Sequence, residues 1–143
     1  MVRTTSILCL SLLLLACSGA DKLTADDVVG YWTGDWGRMV LRAVGGEIWG
    51  AYDHDEGTAI GTLDGNGVMR GWWCEAPSRA VDYDAGEFEF TFSRSGDLSL
   101  DGRWRYGVDG EWKEDWDLVH VTDLPPPELE ERFEDQGAFC PHP

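Results

Sequence analysis

Hydrophobic and polar residues alternate strictly in the second half of the chain. In the run Glu87-Phe88-Glu89-Phe90-Thr91-Phe92, a phenylalanine stands at every second position with a polar residue before it. Residues 98–106 alternate in the same way, with leucine, tryptophan and tyrosine at the apolar positions. Because successive side chains of a strand point to opposite faces, the pattern predicts an antiparallel sheet with one buried and one wet face.

Short segments rich in aromatic and β-branched residues continue this pattern from Gly30 to Val121. Glycine, aspartate and asparagine separate them, as at Gly45-Gly46, and supply the positive φ angles of tight hairpins. Their spacing of about ten residues is typical of consecutive hairpins. The eight predicted strands lie near 30–36, 38–43, 47–53, 58–63, 68–75, 86–93, 98–106 and 111–121.

These segments predict an all-β fold, a small eight-stranded antiparallel up-and-down barrel over residues 24–122. Closure removes the sheet edges, and a barrel of about eight strands either fills its interior or holds one small ligand. A one-turn helix is expected before the first strand, with Thr24 as its cap and Asp27 in the capping-box position. Residues 123–143 form a proline-rich acidic tail in which a short helix is expected.

The first sixteen residues combine one positive charge, Arg3, with an apolar run that is too short to cross a ~30 Å hydrocarbon core. This predicts a signal peptide over residues 1–16, followed by a tether over 17–23. Its end, Leu14-Leu15-Ala16-Cys17, resembles the lipobox of bacterial lipoproteins. The resemblance implies cleavage before Cys17, lipidation of its thiol and anchoring in a membrane of the cell envelope. An unmodified thiol in a leucine-rich leader is the alternative.

Ser18 follows the lipidation candidate where an aspartate signals inner-membrane retention in many Gram-negative bacteria. By the same resemblance, the outer membrane is the expected location in a Gram-negative host. The 11 basic and 27 acidic residues give a formal charge of −16. Such a polyanion repels phosphate backbones, so nucleic acid is not an expected partner.

Of the four cysteines, two are not expected to be available for a disulfide in the mature protein. Cys9 leaves with the leader, and Cys17 is the lipidation candidate. Cys74 and Cys140 remain as an isolated pair in an oxidising compartment, where a disulfide is the default expectation. A metal site or redox pair would need closer spacing or more ligands.

Gly30-Tyr31-Trp32 resembles the Gly-x-Trp signature that opens lipocalin barrels. With Gly37 and Gly50-Ala51-Tyr52, the stretch is also similar to the start of an avidin barrel. Gly-x-Trp recurs at 71–73, 102–104 and 110–112, where glycine permits sharp curvature and tryptophan covers its bare backbone.

The avidin resemblance does not extend to the biotin contacts. The asparagine and serine that avidins direct at the biotin ureido group are replaced by Gly34 and Arg38. Tyr52 matches a ligand-contacting position, but His54 stands where the next serine is expected. Biotin binding is therefore not predicted.

Several aromatic residues share the predicted inner face of the barrel and form the candidate ligand pocket. A cavity of at least ~300 Å³ among them would favour ligand binding, and a filled interior would favour a structural role. The candidate residues are Trp36, Tyr52, Trp73, Trp104, Trp112 and Trp116.

Catalytic and metal-binding patterns are weak. The densest polar run, residues 53–56, places carboxylates at consecutive positions that point apart on a strand, so a solvated turn is expected and no metal or cofactor. The three histidines are scattered. Glu114, between Trp112 and Trp116, is the one candidate acid, because an aromatic surrounding would raise the pKa of its carboxyl group.

The leading hypothesis is a membrane-anchored envelope lipoprotein that binds a small apolar or aromatic ligand without catalysis. The second is a structural or protein-interaction lipoprotein with a filled barrel. An enzyme that uses an inward carboxylic acid is the third.

Overall fold

The computed structural model describes residues 22–143. The predicted signal peptide, residues 1–16, and the lipidation site Cys17 lie outside the described residues. Within 22–143, no helix combines the length and the apolar character needed to span a membrane.

Eight antiparallel strands close into a barrel in chain order, with β8 pairing back onto β1. The predicted all-β, up-and-down eight-stranded architecture is confirmed. The strands are β1 Gly30–Gly34, β2 Gly37–Val44, β3 Glu47–Tyr52, β4 Thr58–Leu63, β5 Val68–Cys74, β6 Ala85–Ser95, β7 Asp97–Trp104 and β8 Leu118–Val121.

The last strand is shorter than its sequence suggests. Residues 105–117 leave the sheet, and two isolated bridges, Gly86 to Gly107 and Trp104 to Lys113, join this segment to its neighbours before β8 begins at Leu118. Gly102 lets this loop return against β7, because a Cβ there would lie 2.1 Å from the Trp116 carbonyl oxygen. Backbone packing, rather than the aromatic pattern, thus decides where the last strand starts.

The barrel interior is a continuous apolar core. Inward side chains follow the period of two along every strand, so that Phe88, Phe90 and Phe92 all face inside as their alternation predicts. Trp32 is fully buried near one end. The core includes Met39, Leu41, Ile48, Ala59, Met69, Trp73, Leu100, Trp104, Trp116 and Leu118.

A one-turn helix, α1 Ala25–Val28, closes one end of the barrel. The Asp27 carboxylate accepts hydrogen bonds from the backbone N–H and the hydroxyl of Thr24, at 2.7 and 2.8 Å, as the capping pattern predicts. Val28 is fully buried, and its carbonyl accepts the Trp32 indole N–H at 2.9 Å. This is the closed end of the barrel.

The C-terminal tail packs on the outer face of β2, β3 and β4. It contains α2 Pro127–Glu131 and two short 3-10 turns, Arg132–Glu134 and Gln136–Ala138. Its buried Leu129, Phe133 and Phe139 cover Val40 and Ala51, so this part of the outer face is dry, contrary to the prediction of one wet face.

The tail is also joined to the barrel covalently. The predicted disulfide between Cys74 and Cys140 is present and links the end of β5 to the end of the tail. Beside it, the buried Thr58 hydroxyl donates a hydrogen bond to the Ala138 carbonyl at 2.9 Å.

Candidate functional site: an aromatic pocket at the open end

The end of the barrel opposite α1 carries the connections β1–β2, β3–β4, β5–β6 and β7–β8. Within residues 22–143 these connections contain no α-helix, only the 3-10 turn His54–Glu56. A cavity of about 140 Å³ opens there. It is smaller than the ~300 Å³ expected for a drug-sized ligand, and buried core side chains fill the rest of the barrel interior. Its lining residues are Trp36, His54, Trp73, Glu75, Trp104, Tyr106 and Trp116.

The pocket walls are aromatic rings set at steep angles around Trp104. The Trp36 and Trp73 rings both stand at 89° to Trp104, with ring centroids 5.7 and 5.4 Å away. Tyr106 stands at 81° to it, at 5.2 Å. Edge-to-face contacts of this kind are the preferred arrangement for aromatic pairs and hold the walls in fixed orientations.

The indole N–H groups of three of the four wall tryptophans are engaged by the protein itself. Trp36 donates to the Asp115 carbonyl at 2.8 Å, and Trp104 donates to the Asp115 carboxylate at 2.7 Å. Trp73 donates to the Arg105 carbonyl at 3.1 Å. Because these three donors already have acceptors, their rings offer carbon rather than hydrogen-bond donors to a guest, whereas the buried Trp116 Nε1 has no hydrogen-bond partner among the described residues.

Glu75 is the one carboxylate in the pocket lining. Burial raises its pKa above the ordinary value and exceeds the opposing effects of the Tyr52 hydroxyl, which donates to it at 2.8 Å, and of His54. The sequence contained a signal for this position, because Glu75 follows the inward Trp73 by two residues. Sequence reasoning placed the aromatic-pocket acid at Glu114 instead, and that side chain is exposed.

Tyr52 lies beneath the pocket rather than in its wall. It is buried, and its ring contacts the Trp116 ring edge-on at 5.0 Å. Burial raises the pKa of its hydroxyl well above the ordinary value, so that the group remains a donor to Glu75. Gly57 makes room for it, since a Cβ at that position would lie 2.0 Å from the Tyr52 ring.

Strained backbone surrounds the pocket. Trp36, Asp55 and Glu56 adopt φ angles of 61°, 43° and 51°, which side-chain-bearing residues seldom occupy. The turn with Asp55 and Glu56 is held from two sides. Arg132 of the tail donates to the Tyr52 carbonyl at 2.7 Å, and Arg79 of the β5–β6 connection donates to the Glu56 carbonyl at 2.9 Å.

Of the six predicted pocket residues, the structure brings four together in the lining, namely Trp36, Trp73, Trp104 and Trp116. Trp112 lies elsewhere, on the outer surface, with the guanidinium groups of Arg103 and Arg105 at 4.5 and 4.6 Å from its ring centroid. The prediction assumed a strand from residue 111, and the alternation of faces does not hold across the irregular loop.

His54 and Tyr106 belong to the lining although the sequence reasoning did not include them. Tyr106 stands two residues after the inward Trp104, so the period of two could have found it. His54 contacts the Trp36 ring at 4.8 Å from the turn that was expected to be solvated. No sequence pattern around His54 predicts its contact with Trp36.

One group of residues has the spacing of metal ligands. Ligand atoms of His54, Asp55 and Glu75 lie within 4.8 Å of one another. His54 and Asp55 are exposed, and their own side chains are 3.4 Å apart, while Glu75 already accepts the Tyr52 hydroxyl. The three residues could hold a divalent cation at the rim of the pocket.

Comparison of the chain with protein-family models, curated proteins and solved structures gave no match. The site is therefore interpreted from its own geometry.

Proposed function

We propose that this protein is a lipid-anchored component of a bacterial cell envelope whose barrel binds a small apolar or aromatic ligand without catalysis. The observation that supports the proposal best is the pocket at the open end. Four tryptophans and a tyrosine line it, although the remaining barrel interior is filled with side chains.

The size of the pocket sets the size of the ligand. A buried apolar cavity of about 150 Å³ is known to accept benzene, which has six non-hydrogen atoms. The 140 Å³ cavity therefore suits a group of about six non-hydrogen atoms. A larger ligand would insert one such group and leave the remainder at the mouth.

The half-buried carboxyl group of Glu75 supports binding over simple filling of the core. Burial disfavours its charged form, and a core that only needed stability would place an apolar residue there. Ionisable groups with shifted pKa values concentrate at functional sites. No reaction is proposed, since the walls are aromatic and Glu75 is already hydrogen-bonded to Tyr52.

A fluorescence titration tests ligand binding. The purified protein in detergent is titrated with a panel of small neutral compounds, such as phenol, benzyl alcohol and cyclohexanol, against a detergent blank. Since four of the eight tryptophans line the pocket, a bound ligand should give a saturable change in emission. The absence of any saturable change with these compounds and with choline, a cationic probe, would contradict the proposal.

Metabolic labelling tests the membrane anchor separately. Cells that produce the wild-type chain should incorporate a fatty-acid analogue into it, and cells that produce Cys17→Ala should not. Equal labelling of the two chains would refute lipidation at Cys17.

A protein partner at the same end is the second candidate. Four exposed apolar side chains surround the mouth, namely Val81, Tyr83, Tyr106 and Val108. A photo-crosslinking amino acid at position 83 in intact cells would give a discrete adduct if a partner docks there. The same probe at Thr62, an exposed position on β4, is the control.

A further inference from the structure

Four tryptophans and a tyrosine line the pocket, and the faces of such rings carry partial negative charge. Trp36, Trp73 and Tyr106 each meet Trp104 at a steep angle, so the rings that line the cavity lie in different planes. Several π faces around one space form an aromatic cage, the arrangement that recognises methylated ammonium groups.

The chain's own cation shows that these rings attract positive charge. The ammonium nitrogen of Lys113 lies 5.4 Å from the Trp104 ring centroid and 5.9 Å from the Tyr106 centroid. These distances are within the range of cation–π attraction. Lys113 is exposed and is not part of the pocket lining. It therefore contacts two of the lining rings without occupying the cavity.

The remaining polar groups of the pocket favour a cation over an anion. Glu75 places a carboxyl group at the pocket wall, and a cation beside it would favour its charged form. Three of the indole N–H donors are occupied by protein acceptors, and the fourth, on Trp116, is buried without a partner within residues 22–143. Asp55, Asp84 and Glu75 lie close enough to influence one another, and the whole chain carries a formal charge of −16. Such a field raises the local concentration of cations at the mouth.

The small number of hydrogen-bond acceptors in the pocket lining indicates which type of cation fits. A primary ammonium has three N–H donors and a guanidinium has five, and each donor that is buried without a partner costs free energy. The side-chain acceptors of the lining are the Glu75 carboxylate, the Tyr106 hydroxyl and one ring nitrogen of a neutral His54, and Glu75 already accepts the Tyr52 hydroxyl. A fully methylated ammonium has no N–H donor, and its methyl groups give it an apolar surface.

We infer that the pocket binds a trimethylammonium group, enclosed by Trp36, Trp73, Trp104 and Tyr106 and neutralised by Glu75. This inference rests on the proposed function. It specifies that the group bound in the pocket is a cation whose positive charge is surrounded by apolar methyl groups. The cavity of about 140 Å³ matches the size of such a group.

Two probes of the same shape test the charge. Choline and its neutral isostere 3,3-dimethylbutan-1-ol are titrated into the purified protein by fluorescence, with EDTA present to remove divalent cations from His54, Asp55 and Glu75. Choline should bind at least about tenfold more tightly than the neutral isostere. Equal binding would overturn the inference and leave the proposed function standing, whereas a failure of all probes would refute both.

Paired variants locate the binding. Trp36→Ala should weaken choline binding by about tenfold or more, while Trp112→Ala, which removes a tryptophan from the outer surface, should leave it unchanged. Equal loss in both variants, or no loss in Trp36→Ala, would contradict the assignment. Circular dichroism and thermal unfolding establish that each variant is folded.

Variants that change a charge separate a role in binding from a purely structural role, because they should alter the affinity for choline but not for the neutral isostere. Glu75→Gln should weaken choline binding severalfold and leave binding of the neutral isostere unchanged. Lys113→Gln should strengthen choline binding, because it removes a like charge from the rings that the ligand uses, and Lys113→Arg should not. Weaker choline binding in Lys113→Gln would overturn the inference.

Discussion

The two ends of the barrel are built from different residues and carry different strain. At the closed end, α1 places Val28 in the core, and the hairpin residues with positive φ are Gly45, Gly67 and Gly96. Glycine adopts these angles without steric cost. The open end is different, since among residues 22–143 every non-glycine residue with positive φ lies there: Trp36, Asp55, Glu56 and Arg79.

The closed end and the open end also differ in their buried polar groups. At the closed end the buried indole of Trp32 donates to a carbonyl of α1, and its ring packs against Phe92 and His120. At the open end a half-buried carboxylate, Glu75, is retained among aromatic rings. Strained backbone and buried charge cost stability, and they persist where a site requires them. This difference is consistent with our proposal, in which the closed end is structural and the open end binds the ligand.

The largest expected effect concerns the link that holds the tail at the open end. The Cys74–Cys140 disulfide joins residues 66 positions apart, and its removal in Cys74→Ala/Cys140→Ala should lower the free energy of unfolding by about 4 kcal/mol. Urea unfolding measures this loss. Hydrogen exchange should accelerate first in the tail and in residues 53–57, which Arg132 holds; faster exchange that starts in α1 would contradict the division.

A substitution at the closed end should affect stability alone. Trp32→Phe removes a fully buried indole and its hydrogen bond to Val28, and should cost about 1–3 kcal/mol of unfolding free energy. Ligand affinity, measured by fluorescence titration on the folded variant, should be unchanged. A loss of affinity that exceeds the change in folded fraction would mean that the two ends are coupled.

The matching substitution at the open end should show the opposite balance. Trp36 is half-buried and strained, so Trp36→Ala should cost only about 1 kcal/mol of unfolding free energy while it removes most of the ligand affinity. Thermal unfolding and titration of the same sample measure both quantities. A stability loss as large as that of Trp32→Phe, with affinity retained, would make Trp36 a structural residue.

The smallest expected effect is the contribution of Glu75 to the pH dependence of the unfolding free energy, and its direction is fixed by the pKa shift. Because the pKa of Glu75 is raised in the folded state, the folded protein binds this proton more tightly than the unfolded chain does, and the associated stability is lost as pH rises through the folded-state pKa. Glu75→Gln should therefore match the wild type at low pH and become the more stable protein as pH rises. Urea unfolding across pH tests this, and a Gln variant that is less stable at neutral pH would contradict it.

The fold followed from the sequence because its determinants are local. Alternation such as that of residues 87–92 sets which side chains face inward, and turn glycines set where strands reverse. The aromatic walls followed for the same reason. Glu75 and Tyr106 each stand two residues beyond an inward tryptophan and could have been included.

The rest of the site depends on tertiary contacts that no local pattern encodes. Trp112 was misplaced because residues 105–117 form an irregular loop, in which the alternation of faces no longer applies. The position of His54 depends on a turn held by Arg132, a residue about eighty positions away in the sequence. The tail covers the outer face through Phe133 and Phe139, which the sequence presented only as part of an acidic segment.

The indole N–H signals of the eight tryptophans test the central claim most directly. In a ¹H–¹⁵N spectrum titrated with choline, the signals of the four lining tryptophans, Trp36, Trp73, Trp104 and Trp116, should shift and saturate together. Trp32 at the closed end and Trp49, Trp72 and Trp112 on the outer face should stay in place. Shifts in this second group, with the first unmoved, would show that the open end is not the binding end.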